Sequence, residues 1–498
     1  MRSAGMQIGK HNGINTALET FLATPLDELL EDGKATAPLA LFRQVVTTVP
    51  AYRAFLRDHG IDPESIKSKA DFQRLPLITK KNYLKLHSMD SLCRNGDLNG
   101  CDMIAVSSGS TGQPTFWPRT VADEFAVAVR FEQIFHDTFY AEQRRTLAVV
   151  CFPMGNWVGG MYTASCCRWL ACKGYKITLA APGNQPSEIL RVVRELGPNF
   201  DQVVLLGYPP FLKGVIDQGI AEEIDWSSLN VRMVFAGEVF SEEWRSLVAH
   251  RISSTEPSLD FASLYGTADA GVLGNETPLS IRIRQYLARH PDAARQLFGE
   301  SRLPTLVQYD PKHRYFETEG GTLIFSADGG VPLVRYHIAD SGGILAYEEV
   351  LHFLGGFGFD PRVGLERGVR PLPFVYVFGR ADFTVSFYGA NVYPENVSIG
   401  LEQPGIAEWV SGKFVLQVRE DADRNLELHV MVEMAPGQAA DESRRVAASE
   451  SIRAQLVRLN SEFANYVPTK AQLPQVELRP SGDPEYFPVG IKHRYTRR

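Results

Sequence analysis

Two hydrophobic periods alternate between about residues 120 and 270, and this alternation constrains the fold more than any other feature of the sequence. Phe125, Ala128, Phe131 and Phe135 recur at helical spacing and lead into the apolar run Leu147 to Phe152. Ile189, Val192, Val193 and Leu196 repeat the helical stripe. Gly197-Pro198 ends it, and Val203 to Leu206 reads as a buried strand closed by Gly207. Val231 to Phe235 and Phe261 to Leu264 read the same way and stop at Ala236-Gly237-Glu238 and Tyr265-Gly266-Thr267. Such alternation predicts an α/β fold, with a sheet rich in parallel strands joined by crossover helices. Open sheets of this kind bind ligands outside the carboxyl ends of their strands, so a site is expected at those turns.

The pattern changes after Gly379-Arg380-Ala381-Asp382. Lys413 to Val418 and Leu426 to Met434 are strand-like, and Asp441 to about Phe463 is helical. This predicts a small α+β domain over 382–498 behind a large domain over 1–381, as expected for 498 residues, too many for one core. A composition 44% hydrophobic and 22% charged is that of a folded globule, and a net charge of −7 gives no electrostatic reason to expect nucleic acid. A small-molecule substrate fits better. Met1 to Ala17 lacks the apolar stretch of a secretory signal, and the longest apolar run, Leu147 to Met154, is far short of the ~20 residues that span a bilayer. A cytoplasmic protein without membrane contact, monomeric or homodimeric, is expected. The six cysteines show no paired ligand spacing and read as reduced thiols, with Cys166, Cys167 and Cys172 beside Trp169 and Leu170 as small hydrophobes.

One segment reads either as a flexible polar turn or as a phosphate-binding loop. Ser107-Ser108-Gly109-Ser110-Thr111-Gly112-Gln113-Pro114-Thr115 follows the apolar stretch Met103 to Val106, and a run of small hydroxylated residues and glycines lets backbone N–H groups approach phosphate oxygens. The loop resembles the phosphate-binding signature of the adenylate-forming superfamily, which includes acyl-CoA synthetases, peptide-synthetase adenylation domains and luciferases. Further motifs follow in that superfamily's order. Leu75-Pro76-Leu77-Ile78-Thr79-Lys80, the run 152–160, Gly207-Tyr208-Pro209-Pro210 and Phe235-Ala236-Gly237-Glu238 resemble segments of its phenylacetate-CoA ligase branch. Tyr265-Gly266-Thr267-Ala268-Asp269-Ala270-Gly271, Arg335-Tyr336-His337-Ile338-Ala339-Asp340, Gly379-Arg380-Ala381-Asp382, the run 389–395 and Gly490-Ile491-Lys492-His493-Arg494 resemble its later motifs. The resemblance covers about residues 70 to 495.

It implies a large N-terminal adenylate-forming domain and a small mobile C-terminal lid, using ATP with Mg²⁺ to convert a carboxylic acid, expected to be aromatic, into an acyl adenylate. Transfer to CoA follows, or transfer to an amine or other nitrogen nucleophile; a non-catalytic nucleotide-binding protein is the remote alternative. Ser107, Ser108, Gly109, Ser110, Thr111 and Gly112 would hold the phosphates. Tyr265 and Gly266 would flank adenine with Gly237 and Glu238, Thr267 would contact the α-phosphate, and Asp269 would help hold Mg²⁺. Asp340 and Arg380 would bind the ribose hydroxyls, Asp382 would be the hinge, and Lys492 the catalytic lysine of the lid. Phe152, Trp157, Tyr208 and Ala236 are candidates for the acyl pocket. The chain departs from the pattern at Asp269, where relatives carry glutamate, so that metal contact through water is expected. Ala339 replaces a common glycine and Gln113 a frequent lysine. No cysteine lies beyond Cys172, and no structural zinc is expected.

Overall fold

A computed structural model describes residues 8–31, 38–107, 115–156, 158–300, 303–380, 385–388, 390–420, 426–460, 463–464, 467–488 and 495–496. Its central feature is an 11-stranded mixed sheet. A hairpin of β1 (Met103–Ser107) and β2 (Thr115–Arg119) stands apart from it, the loop-bracketing residues Ser107 and Thr115 paired in register. β3 (Thr146–Val150), β4 (Ile177–Ala180), β5 (Gln202–Gly207), β6 (Val231–Ala236) and β7 (Phe261–Thr267) form the parallel part of the sheet. The antiparallel part comprises β8 (Gly271–Asn275), β9 (Thr305–Gln308), β10 (Arg314–Glu319), β11 (Thr322–Ala327), β12 (Leu333–Leu345) and β13 (Phe374–Arg380). Their spatial order is β10-β11-β12-β13-β9-β8-β7-β6-β5-β3-β4.

The parallel strands are apolar on both faces because both are covered. On one face Ala148, Val150, Val204 and Leu206 pack with Phe125, Ala128 and Phe131 of the helix Val121–Gln133. That helix starts where Thr120 and Asp123 cap each other reciprocally. Leu147, Val149, Val203 and Leu205 point the other way, onto Ile189 and Val193 of the helix Pro186–Leu196 and Val215 and Ile216 of the helix Pro209–Ala221. The strand and helix periods read from the sequence are therefore the two-sided core of this sheet.

Residues from 385 onward build a second core. β14 (Val385–Phe387) pairs with β15 (Ala390–Val392), and β16 (Val410–Glu420), β17 (Leu426–Met434) and β18 (Gln475–Arg479) form a three-stranded sheet. Leu416, Val430 and Val476 meet Val397, Ile452 and Leu456 from the helices Pro394–Leu401 and Glu442–Leu459. The helix expected from Asp441 begins there, with Asp441 accepting from the Arg444 N–H at 2.8 Å, but it stops at Leu459. β18 was not expected. The boundary expected at 381/382 falls on residues 381–384, outside the described residues. Polar contacts join the cores: Lys213 Nζ donates to the Val410 carbonyl at 2.7 Å, and the Ser241 hydroxyl donates to Glu402.

Candidate functional site

β3, β5, β6 and β7 run parallel as neighbours in the sheet, so their carboxyl ends lie side by side along one edge, where ligands bind in open sheets of this kind. Phe152 follows β3, Tyr208 follows β5, Ala236-Gly237-Glu238 ends β6 and Tyr265-Gly266-Thr267 ends β7. Phe152 is buried and meets the Tyr208 ring edge to face, centroids 5.1 Å apart. Gly237 has φ +87°, and a Cβ there would lie 2.7 Å from the Tyr208 ring. Only glycine lets the ring lie against this backbone. Burial, and then the charge of Glu238, pushes the Tyr208 hydroxyl up to about 12. Glu238 in turn accepts a 2.5 Å hydrogen bond from Tyr495, whose carbonyl takes the Leu416 N–H of β16 at 2.7 Å. The terminal segment of the small domain thus touches the end of β6.

The turn from β7 to β8 is held from several sides. Thr267 Oγ1 accepts from the Ala270 N–H at 3.1 Å, Arg119 donates to the Ala268 carbonyl, and Arg314 Nη2 donates to the Ala270 carbonyl at 2.8 Å. Both arginines are buried. Asp269, 3% exposed, has a contact on each carboxylate oxygen: Tyr336 donates to Oδ2 at 2.6 Å, and Lys80 Nζ lies 3.0 Å from Oδ1. Among the described residues no group of three or more His, Cys, Asp and Glu side chains could hold a metal ion by itself.

β12 supplies the next element. Arg335 and Ala339 both have positive φ, +50° and +63°. The strand pairs with β11 from Leu333 to Ser341 and with β13 from Asp340 to Leu345, placing Asp340 opposite Arg380. Asp340 is buried and its Oδ2 accepts a 2.6 Å hydrogen bond from Tyr265. A buried carboxylate beside an aromatic ring in mid-strand offers a polyhydroxylated ligand a strong acceptor.

Gly237, Glu238, Tyr265, Gly266, Thr267, Asp269 and Asp340 are therefore brought to one side of the sheet, with Phe152, Tyr208 and Ala236 beside them. Ser107 ends β1, and the backbone of Arg380 lies opposite Asp340. Ser108, Gly109, Ser110, Thr111, Gly112, Trp157, Asp382 and Lys492 lie outside the described residues. Lys80, Tyr336 and Tyr495 were not singled out from the sequence. Lys80 and Tyr336 lie inside segments that carry the resemblance, and an acid with no basic neighbour in its own motif was the available signal.

No family profile and no curated protein sequence matches the chain. Solved structures do. A 2-hydroxyisobutyryl-CoA ligase in the postadenylation state, in complex with R3-HIB-AMP, superposes with a TM-score of 0.63 at 16% identity, covering 93% of this chain and 88% of that one. The same ligase with 2-HIB-AMP and CoA in the thioesterification state gives 0.51 at 17% identity, covering 96% and 91%. At these identities the likeness is one of fold: the chain shares the fold of this CoA ligase over nearly its whole length.

Proposed function

We propose that this protein activates a carboxylic acid by adenylation and passes the acyl group to CoA. The carboxylate oxygen attacks the α-phosphorus of ATP, the bond from that phosphorus to the bridging oxygen breaks, and pyrophosphate leaves. Asp340 and Arg380 take the ribose hydroxyls, Asp340 held in orientation by Tyr265. Gly237, Glu238, Tyr265 and Gly266 flank the adenine. Thr267, which accepts from the Ala270 N–H and keeps its own proton to donate, addresses the α-phosphate. The phosphate chain lies over the loop of Ser107 to Gly112, whose stem is the β1–β2 hairpin. Asp269 would help hold a Mg²⁺ ion, which would supply positive charge to offset the repulsion between the two anions.

The observation that carries this reading is the hydrogen bond from Tyr495 to Glu238. It supports a terminal segment that works at the nucleotide crevice, where Lys492, three residues earlier, stabilises the charge gathering between carboxylate and α-phosphate. Asp382 is the pivot about which the small domain turns between adenylation and thioester formation. Phe152 and Tyr208, edge to face beside Ala236, support an aromatic acid as in the phenylacetate-CoA ligase branch, with Trp157 on the same segment as Phe152.

A panel of aromatic and aliphatic acids, scored by acid-dependent exchange of labelled pyrophosphate into ATP and then by mass spectrometry of products with and without CoA, tests the proposal. The expected result is exchange with aryl acids and a CoA thioester. Exchange without thioester, together with amide when an amine is supplied, replaces CoA with a nitrogen acceptor. Absence of exchange with every acid overturns the adenylation reading.

A further inference from the structure

Lys80 stands at the site without a role. Its backbone is fixed more firmly than a surface lysine requires: Ile78 bridges to Tyr336 of β12, donating to the Arg335 carbonyl at 3.1 Å and accepting from the His337 N–H at 2.9 Å. Thr79 and Asn82 then cap the helical turn Lys80–Leu84 reciprocally, the Thr79 N–H donating to Asn82 Oδ1 at 2.7 Å and the Asn82 N–H to Thr79 Oγ1 at 3.1 Å. From that anchor the ammonium sits 3.0 Å from Asp269 Oδ1 and 5.6 Å from the centre of the Trp117 ring. Trp117 belongs to β2, the strand that leaves the phosphate loop.

Two cations near this turn are already committed. Arg119 and Arg314 are buried and donate to the Ala268 and Ala270 carbonyls. The Lys80 side chain keeps 29% of its surface exposed. The loop from Ser107 to Thr115 contains no basic residue, with Gln113 where a lysine is frequent. An anionic ligand with several charges needs a cation at close range, and a lysine held at its side by a carboxylate and an aromatic face is pre-positioned as a point charge.

We propose that Lys80 is a phosphate-binding residue of this site, its ammonium meeting the phosphate chain of ATP while Asp269 and Trp117 hold it in position. The inference rests on the adenylation reading and adds to it a cation that the loop itself lacks. Asp269 is then a positioning residue that acts through Lys80 as well as through any water it holds.

The test is calorimetric titration of the full-length protein and its Lys80→Met and Lys80→Arg variants with ATP and with adenosine, which has no phosphate. Loss of one charge-assisted contact should weaken ATP binding about 10- to 100-fold in Lys80→Met, with Lys80→Arg recovering most of it and adenosine changing less than about twofold. A loss shared equally by ATP and adenosine marks Lys80 as structural and overturns the proposal, as does unchanged ATP affinity in Lys80→Met. If the unmodified protein binds neither ligand, the adenylation reading fails first, and the two failures are thereby told apart. Asp269→Asn supplies a second line: it should reduce ATP affinity in the Lys80 protein and leave it nearly unchanged in the Lys80→Met background, whereas equal effects in both backgrounds sever the coupling.

Discussion

Tyr265 donates its hydroxyl to Oδ2 of Asp340 across 2.6 Å, joining the end of β7 to the middle of β12. In the sheet β8, β9 and β13 stand between those strands. The bond therefore spans the curve of the sheet and fixes a buried carboxylate at the crevice.

Removing the donor should be felt in folding and in binding. Tyr265→Phe leaves Asp340 without this partner, which typically costs about 1–3 kcal/mol for a buried acceptor. The expected result is a lower urea midpoint together with weaker ATP binding, and Asp340→Ala should reduce ATP affinity further by removing the proposed ribose contact. Chemical denaturation and calorimetry on the same samples check both. ATP affinity unchanged in Asp340→Ala would remove this residue from the nucleotide site.

Ala339, immediately before Asp340, has φ +63°, a conformation that a Cβ disfavours. Ala339→Gly should relieve that strain by roughly 1–2 kcal/mol, less the 0.4–1 kcal/mol or so that glycine adds to the entropy of the unfolded chain. The net expectation is a small rise in stability, read as a higher urea midpoint at unchanged slope. A lower midpoint would mean that the alanine methyl packs better than the backbone strain costs.

These two residues also mark where sequence reading stops. The helices and the parallel strands were legible because each declares itself by a local period: Phe125, Ala128 and Phe131 lie on one helical face, and the β3 residues 147–150 alternate between two buried layers. Position 339 was noticed as alanine in place of glycine, but the left-handed conformation it adopts belongs to a strand held between β11 and β13, whose pairing no local period declares. The same holds for the site. Strand-end turns at 236–238 and 265–267 were predictable from where apolar runs stop, whereas Lys80 on Asp269 and Tyr495 on Glu238 depend on tertiary placement, the latter across 257 residues. No periodicity encodes such pairs.

The contact between Ser241 and Glu402 yields a dependence on pH. Glu402 follows the helix Pro394–Leu401 of the small domain and accepts from Ser241, the cap of the helix Glu242–Arg251 in the large one. Burial holds its carboxyl at about 7, against an ordinary value of 4.5; the Ser241 hydrogen bond opposes the rise, the Glu243 charge adds to it and Arg284 subtracts. The native state therefore keeps a proton that the unfolded chain releases. Between pH 4.5 and about 7 the folded protein binds more protons than the unfolded one, so this group's contribution is fully present below pH 4.5 and declines as pH rises through that window. Above it there is no further loss from Glu402. After allowance for solvent at a partly exposed site the change should be on the order of 1–2 kcal/mol. Unfolding midpoints at pH 5 and pH 8 check this in the unmodified protein and in Glu402→Gln, whose neutral amide cannot ionise. The variant should match the parent at pH 5 and exceed it at pH 8. Parallel pH profiles in the two proteins would show that Glu402 does not titrate in this window, and a variant weaker than the parent at pH 8 would show that the ionised carboxylate is the form that the Ser241 hydroxyl prefers.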